Sequence, residues 1–483
     1  MEIASHWKNF VAGEWVDGGA GRLPVENPAT REILAEQALA NAEDVDRAVA
    51  AAKACHESGV LTKVRPVERG RMIRAMGQYI ADRAEDLAEL VCLESGKTLA
   101  EARGEIRNTA RYFEYYGNQA ETLEGKSIPL GAAYADFTVL EPYGVSAQII
   151  PWNFPMEIAA RSIAAGLATG NACVVKSPEL DPLALHVFGK AAEAANVPRG
   201  AVNILCGLGH EAGAALASHP DVNQIVFTGS VATGSAIAQA AARNIVPCVL
   251  ELGGKSAAIV FADADMERLM KSVRSGIYLN AGQVCSAMSR AVVHESLHDE
   301  FVERASELAK SIPVGPGIEF SDPWSGMGPL ISEKQRDRAE GFCIRAERAG
   351  ARAVAGGHKL NRLGWFLEPT VFDRVDPQSE IAQNEVFGPV LSVIKYRTDE
   401  EAIAIANGTP YGLVGGVFTR DIDRAMRTAK RIRAGQVFVN EWYAGGVETP
   451  FGGYGKSGYG REKGREALFN YVQTKNVAIG LGQ

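Results

Sequence analysis

The sequence predicts an α/β protein with two doubly wound, Rossmann-like parallel sheets and a small additional β domain. Short, uniformly apolar runs alternate with alanine-rich helical stretches from Val145 onward, as in parallel strands joined by crossover helices. The alternation starts afresh after Glu251, which indicates a second unit. With 483 residues, 46% of them hydrophobic, the chain is also too long for a single core, since such cores stop growing near about 250–300 residues.

Helices are expected first, followed by the first sheet. Apolar residues recur at three- and four-residue spacing in residues 42–55 and 65–94, which predicts helical segments there. The strands of the first sheet are predicted at residues 145–150, 172–176, 202–205, 224–227 and 248–250, with a crossover helix at 156–168. Because these strands are apolar on both faces, we expect a buried parallel sheet.

The second unit is predicted to repeat this arrangement. Its strands are expected at residues 257–261, 290–293 and 436–440, and its helices at 266–277, at 297–311 and from 332 onward. No long linker separates the two units, so they should pack directly against each other. Residues 134–141 and 471–479 alternate like strands but fit neither unit, and exposed strands of this kind need a pairing partner.

Composition and charge narrow the range of functions. The formal net charge of −8 argues against binding to nucleic acid or to an anionic membrane, both of which favour basic surfaces. No stretch approaches the roughly 18 apolar residues of a membrane span, and the N-terminus lacks the pattern of a signal peptide. We therefore expect a cytoplasmic protein that acts on a small molecule.

The cysteines and histidines predict neither disulfides nor a metal site. The chain has seven cysteines, an odd number, without a Cys-x-x-Cys pair, and its eight histidines form no ligand motif. Six cysteines lie in apolar or helical contexts and are expected only to pack. Cys285 differs because it lies in a glycine-flanked turn.

Three segments carry residues suited to covalent catalysis. Asn153 lies in the segment Pro-Trp-Asn-Phe-Pro, Glu251 begins Glu-Leu-Gly-Gly-Lys, and Cys285 ends Asn-Ala-Gly-Gln-Val-Cys. A thiol can attack an electrophilic carbon, an amide can hold the resulting oxyanion, and a carboxylate can activate water. Taken singly, a packed cysteine, a turn asparagine and a solvated glutamate are the commoner interpretations. Their joint occurrence favours an active site.

With these segments the chain resembles the aldehyde dehydrogenase family along nearly its whole length. Further motifs in the family's order occupy residues 27–30, 227–230, 385–389, 450–453 and 458–462. The resemblance implies an NAD-binding domain (1–122 and 143–250), a catalytic domain (251–440), an oligomerisation domain (123–142 and 468–483) and a return segment to the cofactor domain (441–467). It also implies a homo-oligomer, either a dimer or a tetramer, in which the exposed strands extend a partner's sheet.

The reaction implied by the resemblance is oxidation of an aldehyde to its carboxylic acid with NAD as hydride acceptor. Cys285 would be the nucleophile, Asn153 and the Cys285 backbone amide would stabilise the oxyanion, and Glu251 would activate water against the thioester. Most hydrolytic relatives carry a lysine nine residues after this asparagine, where the present chain has Ser162. Glu462 is a candidate for a second carboxylate near Glu251.

Two alternatives remain open at this point. A relative that transfers the acyl group to coenzyme A is disfavoured by Glu251, which that branch typically lacks. A non-catalytic binding protein on the same scaffold is disfavoured because the cysteine, asparagine and glutamate are all present.

Cofactor-binding residues are expected around the first sheet. Gly229 and Ser230 follow a strand and open a helix, where free amides favour an anion, although Ser230 also suits an ordinary N-cap. Gly209 lies in a glycine run whose third glycine is one position late for the dinucleotide fingerprint. By resemblance, Lys176 and Glu179 would contact the adenosine ribose. The Glu179 carboxylate would repel a 2′-phosphate, which favours NAD over NADP.

The resemblance assigns further residues to the reactive end of the cofactor. Glu385 would hold the nicotinamide ribose, with Phe387 and Trp152 beside it, and Ile149 would line the same groove. The aromatic residues equally suit core packing.

The substrate side is marked by Arg161. The resemblance places it where many relatives that oxidise neutral aldehydes have tryptophan, and where relatives resembling succinic semialdehyde dehydrogenase have arginine. Ile158 lies three residues earlier on the predicted helix, so both can face the tunnel, where a guanidinium would bind a carboxylate or sulfonate. The alternative is an outward arginine paired with Glu157, and a second arginine of such relatives is replaced by Leu279. The implied tunnel wall also contains Val284, Ser286 and Phe451.

Overall fold

The computed structural model describes residues 3–481, so the first two and last two residues of the predicted domains lie outside the described part. Five short strands near the N-terminus were not predicted: β1 (His6–Trp7), β2 (Asn9–Val11), β3 (Glu14–Val16), β4 (Arg22–Glu26) and β5 (Ile33–Ala38). Strands β1, β5 and β4 form a small sheet, whereas β2 and β3 join a large one. Strands of two to six residues show too few alternations for the pattern to indicate them.

Four helices follow: α1 (Ala42–Ser58), α2 (Pro66–Ala81), α3 (Ala84–Ser95) and α4 (Leu99–Gln119). The predicted helical stretch 65–94 is therefore two helices. Helix α4 was missed, although a capping box of Thr98 and Glu101 begins it. Helices α2 and α4 can pack closely because Gly70 has no side chain. A Cβ at this position would lie only 2.2 Å from the Gly117 carbonyl oxygen.

The parallel strands of the first large sheet lie within residues 145–252, after β6 (Ser127–Ile128) and β7 (Tyr134–Pro142). Its elements are β8 (Val145–Ile149), α5 (Pro155–Thr169), β9 (Ala172–Ser177), α6 (His186–Ala194), β10 (Val202–Cys206), α7 (Ala214–Ser218), β11 (Gln224–Gly229), α8 (Val231–Asn244) and β12 (Cys248–Leu252). Five strands run parallel in the order β12-β11-β8-β9-β10. The chain adds β9 and β10 on one side of β8 and then crosses to add β11 and β12 on the other side, so the topological switch point lies between β8 and β11. Ligands of such sheets bind at the carboxyl ends of the strands near this reversal.

The second large sheet follows directly. Its elements are β13 (Ala257–Val260), α9 (Met266–Tyr278), β14 (Arg290–His294), α10 (His298–Ser311), α11 (Glu333–Arg348), β15 (Arg352–Ala355), β16 (Thr370–Asp373), α12 (Glu380–Gln383), β17 (Val390–Tyr396), α13 (Asp399–Asn407), β18 (Val414–Phe418), α14 (Ile422–Ala429) and β19 (Gln436–Val439). The strand order is β15-β16-β17-β14-β13-β18-β19, with only β15 antiparallel within this sheet as described. Each large sheet contributes to its own buried apolar clusters.

The C-terminal part returns to the first sheet. Strand β20 (Gly458–Tyr459) pairs antiparallel with β12, and β21 (Val472–Gly480) pairs with β7 along its whole length. Together with β6 these two strands form a small antiparallel sheet. The predicted class, two parallel sheets plus a small β unit, is confirmed, and the two predicted exposed strands pair with each other. Assembly through this sheet stays a prediction, as do the domain boundaries.

Within residues 3–481, no helix combines the length and the apolar character needed to cross a membrane.

Candidate active site

A cavity of about 480 Å³ is lined by residues of both α/β units. The carboxyl end of β8 leads through Asn153 into helix α5, and the turn after α9 brings Cys285 to the same cavity. The predicted tunnel residues Ile158, Arg161, Val284, Ser286 and Phe451 all line it. The structure therefore brings Asn153, Cys285 and the predicted substrate-side residues to one cavity, whereas the predicted catalytic residues Glu251 and Glu462 do not line it.

The turn before Cys285 has an unusual backbone. Asn280, Ala281 and Gly282 have φ values of 48°, 52° and 72°, three consecutive residues in the left-handed region. Such a conformation costs about 1–3 kcal/mol for a residue other than glycine, and strain of this kind clusters at functional sites. At Gly282 a Cβ would lie 2.1 Å from the Gly388 carbonyl oxygen, so no side chain fits there.

Buried polar groups hold this turn against the first unit. The Asn280 backbone N–H donates to Glu101 Oε1 at 2.8 Å, and Asn280 Nδ2 donates to the Asn153 carbonyl oxygen at 2.9 Å. Asn153 Nδ2 in turn donates to the Gln283 carbonyl oxygen at 3.1 Å. The oxyanion amide and the nucleophile loop are thus fixed relative to each other.

A buried ion pair supports Asn153 from behind, and the sequence did not reveal it. Lys97 Nζ contacts Glu105 Oε2 and donates to the Asn153 carbonyl oxygen at 2.9 Å. Glu105 Oε1 also accepts from the Met156 backbone N–H at 3.0 Å, at the start of helix α5. Lys97 lies in the short connection before helix α4 and Glu105 lies in that helix, and no distinctive motif surrounds either residue. A charged side chain in such a sequence usually faces solvent.

Cys285 is the only cysteine among the described residues that faces the cavity. Five of the other six are buried as predicted, while Cys248 on β12 is partly exposed. Burial raises the pKa of the Cys285 thiol to about 12, although the positive charge of Arg161 opposes this shift. The thiol therefore needs a base, because the thiolate is the nucleophilic form.

Two N–H donors are available for an oxyanion at Cys285. Asn153 is 4% exposed, and its Nδ2 has a second hydrogen beyond the one given to Gln283. The Cys285 backbone N–H has no hydrogen-bond acceptor in the described part of the chain. These are the two donors that the sequence analysis assigned to the oxyanion, and this role stays a prediction.

Glu251 lies near the end of β12 and is 2% exposed. Neither of its carboxylate oxygens has a hydrogen-bond partner among residues 3–481. Burial and the negative charge of Glu462 raise the pKa of Glu251 well above its usual range, against the opposing charges of Arg161 and Arg461. A buried carboxylate with free lone pairs and a raised pKa suits a general base.

Arg161 pairs with Glu462, and this corrects one predicted alternative. Arg161 Nη2 contacts Glu462 Oε2, and the arginine is only 7% exposed. The outward orientation with Glu157 as ion partner is therefore wrong. Ser162 Oγ donates to Glu462 Oε1 at 3.0 Å, so a hydroxyl occupies the position where a lysine was expected. Although burial opposes it, the Glu462 charge raises the pKa of Arg161.

The residues predicted to bind the adenosine part of the cofactor lie at the carboxyl ends of strands in the first sheet. Ile149 ends β8, and Lys176 lies near the end of β9. Glu179 Oε1 accepts from Lys176 Nζ at 2.9 Å and from the Gly209 backbone N–H at 2.6 Å. The Gly209 amide thus donates to Glu179 at the start of a helical turn, residues Gly209–Gly213. Glu179 remains partly exposed, so a hydroxyl can reach it.

The end of β11 fits a phosphate group. Gly229 ends the strand, and a Cβ there would lie 2.5 Å from the Phe227 ring. Ser230 caps helix α8, its Oγ accepting from the Thr233 backbone N–H at 3.2 Å. Both interpretations of Ser230 are compatible, because the other amides of the first turn have no partners within a helix and favour an anion.

Trp152, Phe387 and Glu385 are the residues predicted at the nicotinamide end of the cofactor. The two aromatic rings meet edge to face with centroids 5.2 Å apart. Glu385 Oε1 accepts from the Gly254 backbone N–H at 3.1 Å, and burial raises the pKa of Glu385 to about 7. A Cβ on Gly253 would lie 2.2 Å from Glu385 Oε2, so glycine allows this approach. The predicted cofactor residues of the first sheet therefore lie at the carboxyl ends of β8, β9 and β11, and Glu385 contacts the segment that follows β12. Their role in binding a dinucleotide stays a prediction.

Lys463 was missed by the sequence analysis. It lines the cavity next to Glu462 in the chain and has a left-handed backbone with φ of 61°. The sequence could have indicated Lys463 as a site residue because it lies directly between Glu462, a predicted catalytic residue, and Gly464. No group of three or more His, Cys, Asp and Glu side chains in the described residues has a metal-binding arrangement.

Comparisons with known proteins agree with this geometry. The sequence profile described as "Aldehyde dehydrogenase family" matches residues 15–477. Over 486 residues the chain is 40% identical to aldehyde dehydrogenase family 2 member B4, mitochondrial, of Arabidopsis thaliana, covering 99% of this chain and 89% of that protein. It is 39% identical to retinal dehydrogenase 2 of Homo sapiens, covering 100% and 93%. The NAD+ complex of an aldehyde dehydrogenase from Bacillus cereus superposes with a TM-score of 0.97 at 37% identity, covering 100% and 98%.

Proposed function

This chain belongs to the aldehyde dehydrogenase family and is an enzyme that oxidises aldehydes, and we propose that Cys285 and Glu251 carry out this oxidation with NAD and water. The observation that carries the proposal is that the Glu251 carboxylate is buried without a hydrogen-bond partner among the described residues. Its two buried oxygens lack partners in the described part of the chain and it interacts electrostatically with Cys285, so it can accept a proton at the reacting centre. The product is the carboxylic acid of the same carbon skeleton.

The residues divide the chemistry between them. The Glu251 carboxylate accepts the Cys285 proton and passes it to solvent. The resulting thiolate forms a carbon–sulfur bond with the aldehyde carbon, and the electron pair of the carbonyl bond moves to oxygen to give an oxyanion. Asn153 Nδ2 and the Cys285 backbone N–H donate to this oxyanion. Loss of hydride from the carbon leaves a thioester on Cys285. Glu251 then takes a proton from water as the water attacks, and the carbon–sulfur bond breaks to release the acid and the thiol.

Arg161 and Glu462 form a buried ion pair beside this base. The sequence analysis predicted that Arg161 binds a substrate anion, but its guanidinium already has an ionic partner in Glu462, so we propose a different role for Arg161. Its positive charge instead lowers the pKa of Cys285 and of Glu251 against the effect of burial. We assign Arg161 and Glu462 as positioning residues of the catalytic pair.

NAD is proposed as the cofactor because the similar Bacillus cereus enzyme is described as an NAD+ complex. When bound, it supplies the acceptor for the hydride that leaves the aldehyde carbon. In this chain Lys176 and Glu179 would hold the ribose, the Gly229–Ser230 turn the pyrophosphate, and Glu385 the second ribose.

Turnover without coenzyme A tests the function. We expect the enzyme mixed with NAD and an aldehyde to form NADH continuously and to release the acid. An acyl-transferring enzyme would stop after one NADH per site until coenzyme A is added, and a binding scaffold would form none. Either of these outcomes would contradict the proposal.

Glu179 is expected to set a preference for NAD over NADP. A carboxylate accepts from a 2′-hydroxyl but repels a 2′-phosphate, and like charges in contact cost several kcal/mol. We expect kcat/KM for NAD to exceed that for NADP by at least about 10-fold. Glu179→Gln should narrow this ratio, mainly by improving use of NADP, because Lys176 is then free to attract the phosphate. Glu193→Gln, at an exposed acid on α6, is the control. A wild-type preference for NADP would refute the assignment.

A further inference from the structure

Lys463 places an ammonium group in the wall of the catalytic cavity without a protein counter-ion. It is half-buried and lines the cavity together with Cys285 and Phe451. Within residues 3–481, no carboxylate oxygen lies within 4.0 Å of Lys463 Nζ, and no hydrogen-bond acceptor contacts it. Burying a charge is costly unless it is paired, so this position favours a ligand that brings a negative charge.

The acids near Lys463 have other partners. Glu157 and Glu448 attract the ammonium electrostatically. Glu157, however, accepts from Tyr112 Oη at 3.3 Å, and Glu448 pairs with Arg111. Both acids therefore have polar partners of their own, whereas Lys463 Nζ has no hydrogen-bond or ion-pair partner among the described residues.

The backbone directs Lys463 towards the cavity. The preceding residue forms a two-way bridge with Phe451, with both N–H to carbonyl distances at 2.7 Å, and the Gly464 backbone N–H donates to the Val447 carbonyl oxygen at 2.9 Å. Lys463 lies between these anchors in the left-handed region. Glycine could adopt this left-handed conformation without strain, but the chain has lysine there.

Two cations flank the same aromatic ring, and they differ in what they can bind. Arg161 Cζ lies 5.9 Å and Lys463 Nζ 6.0 Å from the centroid of Phe451. Arg161 is committed to Glu462, whereas all three Lys463 donors are available. Burial lowers the pKa of Lys463, and an incoming anion would offset this loss of hydration.

We propose that Lys463 is the anion-binding residue of the substrate site and that the preferred aldehydes carry a carboxylate, or a similar anion, at the end remote from the aldehyde group. This inference rests on the proposed function, since it assigns the substrate class of the same cavity. An ammonium group is a point charge that binds one anion from many directions, so Lys463 accepts chains of somewhat different length.

The test compares ω-oxo carboxylates of four to seven carbons with n-alkanals of the same length. We expect wild-type kcat/KM to be about 10-fold or more higher for the best oxo acid than for its matched alkanal, as for a hydrogen bond to a charged group. Lys463→Met should remove this preference by raising KM for the acids much more than KM for the alkanals. Lys463→Arg should keep it, and Lys456→Met, at an exposed lysine of the same segment, should have no effect. Thermal melting and NAD binding confirm that each variant is folded.

The outcomes separate the two proposals. Equal use of acids and alkanals by the wild type, or an equal loss for both classes in Lys463→Met, would overturn the role of Lys463 while the oxidation itself stands. The role of Lys463 is also overturned if Arg161→Gln removes the preference selectively and Lys463→Met does not. If the wild type forms no NADH with either class, the proposed function fails instead.

Discussion

The Cys285→Ala variant is expected to lose aldehyde oxidation by at least about 10⁴-fold while it still binds NAD. The carbon–sulfur bond cannot form without the thiol, and no other cysteine among residues 3–481 faces the cavity. The groove residues Glu179, Ser230 and Glu385 belong to other elements and are unchanged by the substitution. Steady-state NADH formation and NAD titration by calorimetry measure the two properties.

Cys248→Ala is the matched control for this experiment. Cys248 is also partly exposed but lies at the start of β12, outside the cavity wall. Its substitution should leave activity near the wild-type level. Substantial turnover by Cys285→Ala, after contamination by wild-type enzyme is excluded, would remove Cys285 from the mechanism.

The sequence was sufficient for the parts of this protein that depend on local pattern. The buried strands of both large sheets are short and largely apolar, and each strand that was named was predicted to within about two residues. The catalytic residues were found because a cysteine in a glycine-flanked turn, an asparagine before helix α5 and a glutamate at a strand end each lie in a distinctive segment.

The parts that failed depend on contacts between distant segments. The partner of Arg161 could not be read from its own helix, where Glu157 is the nearest acid, because Glu462 arrives from the C-terminal return segment. The support of Asn153 by Lys97 and Glu105 was hidden for the same reason. Charged side chains are usually expected at the surface, but these are buried in pairs. Their burial depends on the folded arrangement of distant segments and is not visible in the local sequence.

The Glu251→Gln variant is expected to form one NADH per active site in a rapid burst and then to stop, with steady turnover lowered by about 10²–10⁴-fold. Hydride loss precedes the step that needs the base, so the variant accumulates a thioester on Cys285. Rapid mixing followed by NADH absorbance gives the burst amplitude. Hydroxylamine, which attacks thioesters directly, should restore turnover and release the hydroxamate.

Because Glu251 acts as the base in the hydrolysis step, the rate of hydrolysis should depend on pH. Only the Glu251 carboxylate can accept a proton, and burial raises its pKa well above the usual range, so wild-type hydrolysis should increase as the pH rises through that pKa. In Glu251→Gln this increase should disappear from the residual turnover. Glu462→Gln is the matched variant, because it removes the neighbouring acid that contacts Arg161 and accepts from Ser162 Oγ. We expect Glu462→Gln to keep turning over beyond the burst at a reduced rate. If Glu462→Gln stalls as a thioester and Glu251→Gln does not, Glu462 is the base and Glu251 the supporting acid.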